Sequence, residues 1–247
     1  MLILLSAVVM YSRVGRREIL RFDFVQFIYA FVLVPVIFIW LKTFIFFLLR
    51  NELGYRLSIP QLFFADTFFS TLYLFIAFFV VIHSLTKSFN LKMESDPLTD
   101  IYQLSEYFHQ SLSHFVIFLG SMIFLTLIAG VNIVFPLPIP LEGVWKYIFI
   151  GLGVVSGLIS YVGIMNYDAN SRNFIRIIKL AIGFFTLILV FSYYWFKPSF
   201  NADHGVYWLA LTTFVTLTLL SFFTHKTLEK KARIPFQLKN PIKLTIK

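Results

Sequence analysis

Residues 112–135, LSHFVIFLGSMIFLTLIAGVNIVF, decide the fold. The stretch contains no Asp, Glu, Lys or Arg. A helix needs about 20 mainly apolar residues to cross the roughly 30 Å hydrocarbon core of a bilayer, and this stretch exceeds that length. Five more stretches of the same kind flank it: Phe24–Leu41 and Leu62–Leu85 before it, then Val144–Met165, Phe174–Phe196 and Val206–Thr224. The pattern predicts an all-α, polytopic integral membrane protein with six transmembrane helices over residues 24–224. A basic segment, 1–23, precedes them, and a basic tail, 225–247, follows.

Composition supports this. Of the 247 residues, 59% are hydrophobic and 13% charged, whereas soluble domains carry about 45–50% and about 25%. That leaves too little polar surface to cover a globule, which excludes a soluble enzyme, a disordered chain and a coiled coil. With no cysteine there is no disulfide framework, thiolate nucleophile or Cys-based metal site. The 32 phenylalanines read as bias towards one apolar residue.

The first span is the untidy one, because apolar residues resume at Phe44–Leu49 after Lys42. Trp40 and Lys42 resemble an interface anchor, so a short interfacial segment after Leu41 is expected. The alternative is one long helix kinked at Pro35.

With six spans both termini share one side. That side carries 16 of the 21 Lys and Arg residues, and the other carries 5. The excess of positive charge on cytoplasmic loops places both termini in the cytoplasm, in a plasma-type membrane. Trp40, Trp145, Trp195 and Trp208 all fall at outer ends of spans, where indole rings favour the headgroup layer. Met1–Met10 is too short to span, and its charges (Arg13, Arg16, Arg17) follow the apolar run instead of preceding it. It is therefore expected to be an interfacial helix, or an extension upstream of a start at Met10, and not a cleaved signal.

Two outer loops repeat a pattern. Pro136 is followed by Gly143-Val144-Trp145, and Pro198 by Gly205-Val206-Tyr207. Shared turn chemistry is the preferred explanation over an inherited duplication. In the fourth span Gly153 and Gly157 form a G-x-x-x-G, extended by Ser160 and Gly163. Small residues four apart let another backbone approach closely. An intramolecular helix contact is expected in preference to a homodimer seam.

The longest hydrophilic connection, about Thr86–Ser111, contains a helix signal. Asp96 is placed as N-cap and Pro97 at the first helical position. Leu98, Ile101, Leu104, Phe108, Leu112 and Phe115 then recur at helical spacing. The pattern predicts a short cytoplasmic amphipathic helix, 97–111, before the third span. Its polar face (Asp100, Gln103, Glu106, Gln110) is acidic, so it suits the protein's own surface or a protein partner better than anionic lipid. The basic tail from Lys226 suits anionic lipid, at about 1 kcal/mol per basic residue near the surface. Positive-inside topology already accounts for its charge, so nothing separate points to nucleic acid.

Ionisable groups inside a membrane are candidates for function by default. Asp66, beside Gln61 and Thr67, and Lys42 are the intramembrane candidates. Asp66 is expected to reach the headgroups or cap a helix start, and Lys42 to snorkel, with a pair between them as the alternative. Gln26 and Asn132 lie near span ends and need no special role. No charge falls at the midplane, which weakens an ion-coupled mechanism. His83, His109, His114 and His225 map to the cytoplasmic side with Glu106 and Asp168. A metal would be held by His83, His109 and His114, with Glu106 three residues from His109; haem on His83 and His225 is a weaker variant. Only one Glu-x-x-His is present, whereas di-iron bundles need two. There is no G-x-S-x-G, no phosphate-binding loop and no potassium-filter sequence, and residues 201–205 read as a turn. The expectation is a transport-type protein, a permease or channel, or a subunit of a transport assembly. The alternatives are a non-catalytic anchoring or regulatory subunit and a membrane enzyme with a cytoplasmic His/carboxylate site.

Overall fold

The structure is a computed structural model that describes residues 18–19, 22–93, 105, 107–137, 143–165 and 172–223. Six helices in it are long and apolar enough to cross a membrane. These are α1 (Phe24–Leu49), α2 (Ile59–Met93), α3 (Tyr107–Val134), α4 (Trp145–Met165), α5 (Arg172–Phe196) and α6 (Gly205–Phe223). A two-residue antiparallel pairing, β1 (Glu18–Ile19) with β2 (Phe22–Asp23), precedes α1.

The bounds of α4, α5 and α6 fall within two residues of the hydropathy reading. The first three helices differ from it. The first span does not stop near Leu41: α1 is continuous to Leu49, with Ile28–Leu33 wound as a π-turn. Pro35 has no N–H to give and its ring crowds the preceding turn. A wider turn just upstream absorbs the misfit without ending the helix. Lys42 therefore sits inside a helix. At 1.5 Å per residue α2 is about 52 Å long, well beyond the hydrocarbon thickness. Its start is set by Ser58, whose N–H donates to Gln61 Oε1 at 2.8 Å, a capping box. Beyond Pro60, which sits in the first turn, no Gly or Pro interrupts the chain before Met93. Residues 107–111, expected in a separate amphipathic helix, instead open α3 as a π-turn, Tyr107–Ser113. Apart from Ser105, the rest of that proposed helix lies outside the described residues, as do Glu106, Asp168, His225, the basic tail and all of the N-terminal segment but residues 18–19 and 22–23.

The helices pack as a body and a hairpin. Side chains of α3, α5 and α6, among them Ala129, Ile178, Leu189, Tyr207 and Phe214, form one buried core, and α4 lies along α6. The α1–α2 hairpin has its own core of Leu41, Ile45, Leu49, Phe69, Tyr73 and Ala77, joined to the body through Ile128 of α3.

The G-x-x-x-G of α4 faces α6 within the same chain. A Cβ on Gly153 would meet Thr212 Oγ1 and lie 2.6 Å from Leu209 O, and one on Gly157 would lie 2.8 Å from Thr213 O. Thr213 Oγ1 donates across this contact to Gly153 O at 3.1 Å. Ser160 is half-buried. Gly163 meets open space, so the stripe of close contact ends before it.

The two similar loops resolve differently. Gly143 adopts φ +68°, which favours glycine. Gly205 is helical, and what it needs is small size, because the Phe149 ring lies against it. Different demands on equivalent glycines fit common punctuation better than duplication.

Candidate functional site

The polar groups of the apolar helices gather along one seam. On α2, Asp66, Ser70, Tyr73, Ala77, Ser84 and Ser88 follow one another at spacings of 4, 3, 4, 7 and 4. At 3.6 residues per turn these positions share one face. In the hairpin's core that face lies against α1.

At the hairpin end of the seam Lys42 Nζ donates to the Asp66 carboxylate. The expectation that Lys42 snorkels away and that Asp66 caps a helix does not hold. Asp66 lies seven residues inside α2, beyond the reach of the helix start. A charge within the apolar helix is better satisfied by the opposite charge two turns from the tip of the neighbouring helix. The side chains are 40% and 30% exposed. One turn further in, the Ser70 hydroxyl is buried and bonds to nothing among the described residues. Near the middle of the helices Tyr73 donates to Val34 O at 2.6 Å, and its ring packs against Phe38 at 5.7 Å. Further along, Ser84 and Ser88 are fully buried. Ser88 donates back to Ser84 O at 2.9 Å, while Ser84 Oγ has no partner among the described residues. The opening turns of α1, which carry buried Gln26, pack on α2.

Elsewhere hydroxyls inside helices bond to the carbonyl four residues back, as Thr126, Ser192, Thr212 and Ser221 do. Thr186 also reaches Thr218 across the α5–α6 contact at 2.8 Å. Ser70 and Ser84 depart from this habit, on the same face as Asp66.

The structure brings three of the candidate histidines together where α2 meets the π-turn of α3. The rings of His83 and His109 are 4.6 Å apart, those of His83 and His114 also 4.6 Å, and those of His109 and His114 5.7 Å. His114 Nδ1 donates to His109 O at 2.8 Å, and His83 Nδ1 faces the same oxygen at 3.4 Å. A carbonyl only accepts, so both Nδ1 atoms carry the proton. The i−5 bond from His114 uses a carbonyl that the π-turn swings out of α-helical register. The rings pack on one another around a backbone oxygen, and among the described residues no three His, Asp or Glu side chains are arranged to hold one metal ion.

Asn132, expected to have no special role, is fully buried. Its Nδ2 donates to Asp203 O at 3.0 Å, and its Oδ1 accepts Tyr207 N–H at 3.1 Å. It thus caps the first turn of α6 from another helix. The loop at 199–204 is correspondingly more than a turn. Ser199 Oγ and Asp203 Oδ1 both lie against His204 Nδ1, at 3.0 and 3.3 Å. A proton relay needs serine and carboxylate on opposite ring nitrogens, so this trio ties the loop and is not arranged for nucleophilic catalysis.

Against family models, curated proteins and solved structures the chain finds no match. The site therefore stands on its own geometry.

Besides Tyr73, Ala77 and Ser88, two residues of the seam that matter to it escaped the sequence analysis, Ser70 and Ser84. The signal was present: placing Asp66 on a helical wheel puts both on its face. Looking for charges and histidines passed over hydroxyls, which are ordinary in membrane helices.

Proposed function

We propose that this chain is a transport-type membrane protein, a permease or channel or the conducting subunit of a larger assembly, in which the α1–α2 seam carries a small hydrophilic solute. The observation that supports this is the pair of buried hydroxyls, Ser70 and Ser84, that have no partner among the described residues, on the face that also carries Asp66 and Tyr73. A buried hydroxyl without a hydrogen bond costs about 1–3 kcal/mol. A protein that served only as an anchor would gain by turning both back onto their own helix. Transport gives them a partner that comes and goes. The π-turn of α1, which faces this seam, is a departure from regular winding of the kind common at functional sites. The charge asymmetry of the loops supports a cytoplasmic position for the histidine end of the seam.

The anchoring alternative draws on the outward faces of α1 and α2, where Trp40, Phe63, Phe64, Phe75 and Phe78 are exposed. Lipid covers such a surface as well as a partner would, so it does not favour that role.

The test is solute flux in proteoliposomes of the purified full chain, using labelled sodium, rubidium, chloride and glycerol in parallel. The expected result is faster equilibration of at least one solute than in protein-free liposomes, abolished by Ser84→Phe, which fills the seam. Folding of the variant is checked by thermal unfolding. Equal rates for every solute with and without protein would refute the proposal.

A further inference from the structure

Asp66 is the only Asp or Glu within the ranges of the six helices, and its partner is a lysine. An arginine would grip a carboxylate with two parallel hydrogen bonds in a fixed plane. A lysine is a point charge on a flexible stem, and it is more easily exchanged for another point charge. The Lys42 side chain is 40% exposed and lies two turns from the hairpin tip, so on release it can extend its head towards the headgroup layer. Ser70 adds the second feature. It stands four residues on from Asp66, on the same face, with a buried hydroxyl oxygen that no group among the described residues uses. A carboxylate and a hydroxyl oxygen side by side are the ligand type that hard cations prefer.

We propose that Asp66 and Ser70 form a binding site for a small monovalent cation of the sodium type, with Lys42 as its built-in competitor. One carboxylate balances one positive charge. A monovalent cation that takes the place of the ammonium leaves the local charge unchanged, whereas a divalent ion adds an uncompensated charge next to lipid. The site alternates between a closed state, with Lys42 on Asp66, and a loaded state, with the cation on Asp66 and Ser70 and Lys42 turned outward. No covalent bond is made or broken in the exchange; the Lys42–Asp66 ion pair gives way to the cation. This inference names a substrate class for the transport reading and rests on it.

The experiment is equilibrium binding of labelled sodium to the full chain in detergent micelles, with choline keeping ionic strength constant. The wild-type chain is expected to bind sodium saturably. Lys42→Met removes the competitor and should bind at least about tenfold tighter, because a closed state populated nine-tenths of the time lowers apparent affinity by that factor. Ser70→Ala should bind several-fold more weakly. The double variant Asp66→Asn/Lys42→Met removes both charges together, leaves neither unpaired, and should bind none. If Lys42→Met does not fold, the comparison of wild type with the double variant still decides. Sodium bound by neither, or by both alike, overturns the site, and equal affinity of wild type and a folded Lys42→Met overturns the competition. Flux of another solute without sodium binding would sink this inference and spare the transport reading. Sodium binding without flux of any solute would do the reverse.

Discussion

Replacing Gly153 or Gly157 by alanine tests the packing that holds α4 to the body. The added Cβ would sit 2.6 Å from Leu209 O at the first position and 2.8 Å from Thr213 O at the second, where ordinary contact begins at 3.4 Å. The Thr212 and Thr216 side chains also stand in the way, and the two carbonyls are backbone, which cannot rotate away, so α6 must withdraw by about 0.6–0.8 Å. A gap of that size forfeits roughly a quarter to a half of the dispersion energy of the atoms lining it. Overpacking of this kind costs about 1–3 kcal/mol. Stretching the Thr213 hydroxyl bond to Gly153 O adds about 0.6 kcal/mol, the average for such bonds between membrane helices. Each substitution should therefore destabilise by about 2 kcal/mol. The double substitution should cost less than twice that, because one withdrawal of α6 relieves both clashes. Gly163→Ala, at an open position, serves as the control and should lie within about 0.5 kcal/mol of wild type. Reversible unfolding in mixed micelles measures all four variants. Costs at 153 and 157 no larger than at 163, or strict additivity of the two, would show that the helices do not meet as described.

Other substitutions probe separate joints. Asn132→Ala should destabilise by about 1–3 kcal/mol in the same assay, since it strands the buried Tyr207 N–H while the Asp203 carbonyl keeps the Leu137 N–H; a loss under about 0.5 kcal/mol would remove the cross-helix cap from the account. Tyr73→Phe deletes only the hydroxyl that donates to Val34 O and should cost about 0.5–1.5 kcal/mol. An unchanged midpoint would mean the seam is not closed there. His114→Ala removes the donor to His109 O at 2.8 Å and should cost about 1 kcal/mol. The opposite finding, a stabilised variant, would contradict the ring packing at the π-turn.

Much of the architecture was legible in hydropathy, because lipid imposes a length and an apolarity that few other environments demand. The ends of the helices were less so, for reasons that differ case by case. Lys42 resembled a boundary because a lone lysine in an apolar run usually marks the interface; its compensation by Asp66 depends on the register of two helices, which no single-helix pattern encodes. The π-turns of α1 and α3 were hidden because they preserve apolarity while changing the winding. The capping box at Ser58 and Gln61 was readable and would have placed the start of α2. The span map put His83, His109 and His114 on one side of the membrane, without their mutual packing. That they pack around a carbonyl required the backbone path of the π-turn. The cap by Asn132 joins positions 75 residues apart, and nothing local announces it.

Water in the α1–α2 seam is the claim on which the function depends, and the absence of native cysteine makes it directly measurable. Single cysteines at Ser70, Ser84, Leu74 and Ala210 are treated in native membranes with a charged, membrane-impermeant maleimide. Leu74 is exposed on the outward side of α2, and Ala210 is wholly buried in the body. The account predicts labelling at 70 and 84 and none at 74 or 210. Protection at 70 and 84 equal to that at 210 would mean a dry, sealed hairpin and would contradict a hydrophilic path through it.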